Sequence, residues 1–261
     1  MKLHRIYALM LRYFYLTRHS FDRATDMLYW PILDLLLWGL TSAYFQSYIS
    51  ETDTVIFTII AGIIFWFVVV RGQYEMSVNI LEELWNRNMV NLFVSPLKFS
   101  EMIAASAIIS VAKAAIGFSF AAFLAKLLFD VNLIYFGIYL FPLTLVLLMT
   151  GWVIGLFVAG TILRFGTKLQ ALAWTLVWVI SPFSAIYYPL SILPGWGQTI
   201  AKFIPVSYVF ENSRMFIMSG RVDIYELSMT ILLSVIYLIC ALWYAHRSFA
   251  KSLEKGLVKL Y

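Results

Sequence analysis

The chain has 261 residues, of which 62% are hydrophobic and 13% charged, about half the charged share of a soluble domain. Long charge-free runs place it among helical membrane proteins, and the lack of alternating ten-residue segments excludes an outer-membrane barrel. One cysteine, Cys240, supplies neither a disulfide nor a metal cluster, and the net charge of +5 is distributed as a topology signal, not as a nucleic-acid patch.

Residues 1–27 are amphipathic. Arg5, Arg12 and His19 recur every seven residues and share one helical stripe, while Ile6, Leu9, Tyr13 and Leu16 fall on other faces. This predicts a helix lying in the membrane plane on the basic side, the other reading being a basic tail before the first span. Arg12 and Arg18 interrupt the first apolar stretch, which argues against a cleaved signal peptide. The first span is expected at about 29–48, with Pro31 in its first turn and Asp34 about one turn inside. Glu51 and Asp53 follow in a short acidic loop, and a second span is expected at about 55–70.

Residues 71–100 read as too charged to cross. Within 74–97, Leu81, Leu84, Trp85, Asn88, Leu92 and Phe93 suggest a helix, with Glu82, Glu83, Arg87 and Asn91 on more polar faces. Ser95-Pro96 should end it. Such a helix either inserts into a partner's groove or skims the membrane.

A third span is expected at about 102–128, rich in Ala, Ser and Gly, with Lys113 near its middle. After a loop around Asp130, the fourth runs at about 135–163. Gly151 and Gly155 in it form a GxxxG pair, a close-packing surface. A basic turn at Arg164 and Lys168 leads into Leu169–Ala201, which has no charged residue. As one helix this stretch would be roughly 50 Å long, against about 30 Å of hydrocarbon. Pro182, Pro189 and Pro194 mark where it breaks, and Gly195 and Gly197 allow a tight bend. The fifth span is therefore expected at about 169–188. The chain after it stays apolar without crossing, which is tolerated only where it is buried in protein or lines a cavity. A long connector, 190–224, precedes the sixth span at about 227–244, and the tail from Arg247 carries Lys251, Lys255 and Lys259.

Six spans put both ends of the chain on one side. That side holds fourteen Lys and Arg against four on the other, with Lys113 inside a span, so the ends are read as cytoplasmic. No internal repeat, linker or low-complexity segment divides the chain, and residues 1–261 read as one domain. There is no GxxxxGK[ST] loop, no HExxH and no Ser/His/Asp arrangement. His4, His19 and His246 all fall near the cytoplasmic face, where headgroups explain them better than metal.

Two features keep alternative readings. Asp34 and Lys113 are intramembrane charges: either a proton or substrate relay, or paired or snorkelling structural charges. The aromatics Tyr44, Phe45, Tyr48, Tyr135, Phe136, Tyr139, Tyr187, Tyr188 and Trp196 gather near the outer span ends. They form either an interfacial belt or a path that stacks on flat apolar substrates.

This layout resembles the permease subunit of ABC-2 type exporters over essentially the whole chain. The strongest local likeness is Ser181–Arg214, SPFSAIYYPLSILPGWGQTIAKFIPVSYVFENSR. It looks like the family's pattern of a span end, a turn at Tyr188-Pro189-Leu190-Ser191 and Leu193-Pro194-Gly195-Trp196, a break at Pro205 with Ser207-Tyr208, and a helix carrying Glu211 and Arg214. Asn91–Glu101, NLFVSPLKFSE, is similar to the family's segment after its coupling helix.

The resemblance implies an all-α integral membrane fold. It has six transmembrane helices, an N-terminal interfacial helix, a cytoplasmic coupling helix and re-entrant helices before the last span. It implies that two copies form a path and that a separate ABC ATPase subunit, holding ATP and Mg2+, drives it; this chain itself would bind no cofactor. The coupling helix would fall within 79–94, with Glu82, Glu83, Leu84, Trp85, Arg87 and Asn88. Two short helices, about 190–203 and 206–218, separated by Pro205, would form an outer gate with Tyr188, Pro189, Pro194, Gly195, Trp196, Glu211 and Arg214. Drugs, lipids, lipid-linked polysaccharides and polyketides are the substrates implied, with the turn closer to the drug-resistance and nodulation-factor branches. The competing readings are a proton-coupled secondary carrier using Asp34 and Lys113, weakened by the missing repeat, and a lipid-modifying membrane enzyme, for which no polar cluster stands out.

Overall fold

The computed structural model describes residues 1–46 and 53–254. Among them there are helices and no strands. Tyr48, Glu51, Lys255 and Lys259 lie outside the described residues. The first helix, α1, covers Leu3–His19, and Ser20 separates it from α2, Phe21–Gln46. The next helix, α3, runs unbroken from Asp53 to Trp85, about 50 Å at 1.5 Å per residue. A short α4, Met89–Val94, leads to α5, Phe99–Phe129. A 3₁₀ segment, Leu133–Tyr139, kinks at Gly137 (φ 52°) into α6, Leu140–Phe165. After a 3₁₀ turn at Thr167–Leu169 comes α7, only Leu172–Ile180, closed by a second 3₁₀ turn at Ser181–Phe183. The connector carries a 3₁₀ turn at Leu190–Ile192, then α8, Gly195–Ala201, and α9, Pro205–Ser219. The last helix, α10, is Ile224–Glu254.

Four helical stretches are long and apolar enough to cross a membrane: Val55–Trp85, Phe99–Phe129, Leu133–Phe165 and Ile224–Glu254. They match the second, third, fourth and sixth expected spans and exceed each of them. Residues 29–46 of the first expected span lie within α2, a helix of 26 residues whose Pro31, Asp34 and aromatic residues dilute its leucines. Asp34 sits at the midpoint of α2, which starts at Phe21, ahead of the expected span. The fifth expected span is not one regular helix: α7 has nine residues, flanked by 3₁₀ turns, and Pro182 sits in the second.

Two expectations need correction. Residues 71–85 do not leave the bundle as a separate cytoplasmic segment but continue α3, with Glu75, Leu81, Glu83 and Leu84 buried. The helix ends where Asn88 N–H reaches the Glu83 carbonyl at 2.9 Å and Arg87 N–H the Leu84 carbonyl at 2.9 Å, with Arg87 left-handed at φ 52°. This is a Schellman ending with arginine in the position that glycine usually takes. Second, Gly195 and Gly197 form no bend. Both lie inside α8, and the reversal after the fifth helical segment falls instead on Ala185, at φ 57°.

The packing centre is the contact of α3 with α6. Gly151 and Gly155 lie against the α3 backbone at Gly72 and Gln73; a Cβ on Gly155 would stand 2.6 Å from the Gln73 carbonyl oxygen. Small residues thus let two backbones touch, as the GxxxG spacing implies. One face further round α6, Gly160 packs under the Tyr244 ring of α10, 2.9 Å from where a Cβ would be. Around this contact the core divides into an outer part, with Phe65, Phe136 and Phe210, and an inner part, with Leu81, Met102 and Ile162.

Replacing Gly155 by Ala should therefore push α3 and α6 apart and lower stability by about 1–3 kcal/mol. Gly195→Ala, which meets open space within a helix, should change it by less than about 1 kcal/mol. Thermal unfolding of the purified variants in detergent distinguishes the two.

Candidate functional site: a charge network inside the bundle

On α3, Arg71, Glu75 and Asn79 follow one another at four-residue intervals and so share a face. Neighbouring helices answer each of them. The Glu75 carboxylate has 0% exposure, and Lys113 of α5 donates to both of its oxygens, at 2.9 and 3.0 Å. Arg71 Nη1 lies 3.8 Å from Glu75 Oε1 and 3.1 Å from Asp26 Oδ2 on α2. The guanidinium also lies 5.3 Å from the ring centres of both Phe67 and Tyr74. Asn79 Nδ2 reaches Ser106 Oγ of α5 at 3.3 Å, and Trp152 Nε1 of α6 donates to Ser110 Oγ at 2.7 Å. Two cations and two carboxylates make a neutral group tying α2, α3 and α5. Its pairing is what lets charged residues stay in an apolar bundle, since an unpaired buried charge is far more costly than a paired one.

A second tier lies one to two turns inward. Arg12 of α1 binds Glu83 at 2.7 Å, Asn88 Nδ2 donates to the same carboxylate at 2.7 Å, and Arg23 of α2 binds Glu82 at 2.6 Å. Glu101 of α5 accepts from the backbone N–H of Lys2 at 2.7 Å and of Lys98 at 3.0 Å. The basic stripe of α1 thus meets internal carboxylates, while Tyr7, Phe14 and Tyr15 remain exposed.

These contacts revise the coupling-helix residues. Glu83 and Leu84 are buried and Glu82 is half-buried, and the two carboxylates are turned to Arg12 of α1 and Arg23 of α2. Trp85 (50% exposed) and Arg87 are at the surface and Asn88 is half-buried; Val94 of α4 is 83% exposed. No free-standing amphipathic helix spans 79–94, because the Schellman ending divides it into the end of α3 and α4.

At the other end of the bundle, two of the expected gate residues, Glu211 and Arg214, meet in a clamp. Arg214 Nη1 binds Glu211 at 3.0 Å and Nη2 donates to the carbonyls of Ala185 and Ile186. Glu211 accepts the Leu190 N–H at 2.8 Å. The clamp therefore fixes the strained Ala185 reversal to α9. Asn212 joins α9 to α10 through Glu226 (2.8 Å) and the Asp223 N–H (2.9 Å). Tyr188 donates to the Pro182 carbonyl at 2.7 Å. Pro189 and Pro194 precede the 3₁₀ turn and α8, and Pro205 opens α9, where proline is well placed. Trp196 is 64% exposed, with its ring edge-on to Phe183 at 5.9 Å.

The outer aromatics divide into two sets. Phe136 is fully buried and stacks on Phe216 at 5.2 Å, with Tyr135 and Tyr139 around the same ring. Tyr44, Phe45 and Trp196 are exposed as a belt would be. Tyr187 stacks on Trp38 of α2 at 4.5 Å.

Lys113 is paired with Glu75 and not with Asp34, so these two expected intramembrane charges are not brought together. Arg71, Glu75 and Asp26 are the members that sequence reasoning missed; the four-residue spacing of Arg71, Glu75 and Asn79 was the available signal for the first two. Among the described residues no group of three His, Cys, Asp or Glu could hold a metal.

Lys113→Met should strand the Glu75 charge and cost about 3–5 kcal/mol, while Lys113→Met combined with Glu75→Leu should recover most of that loss. Thermal unfolding of the two single variants and the double variant measures the coupling.

No protein-family model matches the chain, and no curated protein matches it either.

Proposed function

We propose that this chain is the membrane-spanning permease subunit of an ABC-2 type exporter. Two copies would move a drug-, lipid- or glycan-like substrate outward across the cytoplasmic membrane, powered by a separate ATPase that holds ATP and Mg2+. The chain itself is then a non-enzymatic path. The observation that carries this reading is the order of elements. Helix α1 is followed by two long helices, a surface turn at Trp85–Val94, two more long helices, and three short ones, α7, α8 and α9, before the last long one.

Six crossings follow if α2 and the segment 167–184 join the four long apolar helices. Helical turns at about 1.5 Å per residue carry those 18 residues about 27 Å. α8 and α9 are too short to cross, so both would re-enter from the outer side, and the Glu211–Arg214 clamp would hold the exit. The Lys and Arg excess supports a cytoplasmic side for both ends of the chain. The coupling surface is then the end of α3 and α4, with Trp85, Val90 and Val94 exposed at their tips, and Arg87 and Asn88 in the turn between them.

Reconstitution with an ABC ATPase encoded beside it tests the reading. ATP should drive substrate efflux from proteoliposomes. Val90→Asp with Val94→Asp, both exposed on α4, should lower that efflux at least about tenfold, a loss of about 1.4 kcal/mol in coupling, without shifting thermal unfolding. Efflux by the chain alone that an uncoupler abolishes and ATP does not affect would instead establish a proton-coupled carrier.

A further inference from the structure

Charges in the middle of the bundle are matched: Glu75 by Lys113 and Arg71, and Asp26 by Arg71. Asp34 breaks that pattern. It lies at the midpoint of α2, half-buried, and among the described residues neither an ion pair nor a hydrogen bond reaches its carboxylate. A carboxylate within a membrane-crossing helix is costly and needs a partner. Lys113, the other expected intramembrane charge, is held by Glu75.

The surroundings of Asp34 say what kind of partner fits. Trp38 stands one turn further along α2 and so shares its face. The Trp38 ring is stacked on Tyr187 at 4.5 Å, which brings both rings to the Asp34 side of α2. Trp38 and Tyr187 are both half-buried, so neither ring is sealed inside the core. One carboxylate beside two aromatic rings is a poor set for a small metal ion, which requires several oxygen ligands. It suits a single positive charge spread over an apolar or aromatic body, since the carboxylate attracts the charge and the rings take both the charge and the apolar surface.

We propose that Asp34, Trp38 and Tyr187 form a binding site for a lipophilic organic cation, the substrate class of the path described above. The inference rests on the transporter reading for its purpose. Occupancy itself requires neither ATP nor an ATPase.

The test is equilibrium binding of tetraphenylphosphonium to the full chain in lipid nanodiscs, without an ATPase. The wild type should bind it saturably, at one site per chain. Asp34→Asn should weaken that at least tenfold and Trp38→Ala several-fold, while Asp34→Glu should retain it within about threefold. Tetraphenylborate, of the same shape and opposite charge, should bind no better to the wild type than to Asp34→Asn. Equal tetraphenylphosphonium affinity in wild type and Asp34→Asn, or no saturable binding to the wild type, overturns the site. Failure here alongside intact ATP-driven efflux of a neutral substrate would remove the cation site and leave the exporter reading standing. Binding that depends on Asp34 in a chain that no ATPase can drive would do the reverse.

Discussion

Glu75 has no access to solvent, and its charge is met from two sides by Lys113 and Arg71. Much of the inner half of the molecule follows from that burial. A carboxylate in apolar surroundings demands cations at hydrogen-bond distance, and those cations must come from neighbouring helices. Arg71 in turn requires Asp26, which fixes α2 against α3. Further in, Arg12 and Arg23 meet Glu83 and Glu82 and draw α1 and the start of α2 onto the same helix. The result is one long α3 around which α1, α2 and α5 are positioned by charge, and α6 by direct backbone contact at Gly151 and Gly155.

The fold class was readable from composition because long charge-free runs have few other solutions. So were the helix breaks at Pro194 and Pro205, where a ring without an N–H leaves a local mark. The continuity of α3 was not. Charges at 71, 75, 82 and 83 look like a departure from the membrane when the sequence is read alone, since nothing local shows that Asp26, Lys113, Arg23 and Arg12 stand opposite them. The end of α3 was also hidden, because its left-handed residue is Arg87, where glycine would have announced the stop. The reverse error occurred at Gly195 and Gly197: glycines that suggested a bend lie in regular helix, and Ala185 makes the reversal under the hold of Arg214.

The two polar groups divide the labour between the faces of the bundle. The inner network joins whole helices and ends beside the exposed tips of α3 and α4, the surface proposed above for the ATPase. The outer clamp joins a broken segment to α9 through a few backbone carbonyls, a more local attachment. Between them α3 and α6 meet backbone to backbone at Gly151 and Gly155. A force applied at Trp85 would then travel along a stiff α3 instead of being lost in a flexible loop. Such a design suits an account in which conformational drive arrives from one side and release occurs at the other.

The central structural claim is that residues 71–85 are the interior continuation of α3. Amide hydrogen exchange of the purified chain in nanodiscs tests it most directly. Peptides covering 71–85 should be protected to the same degree as those covering 60–70, with fast exchange beginning only beyond Asn86. Rapid exchange across 74–85, as for a surface helix on a mobile loop, would contradict the account.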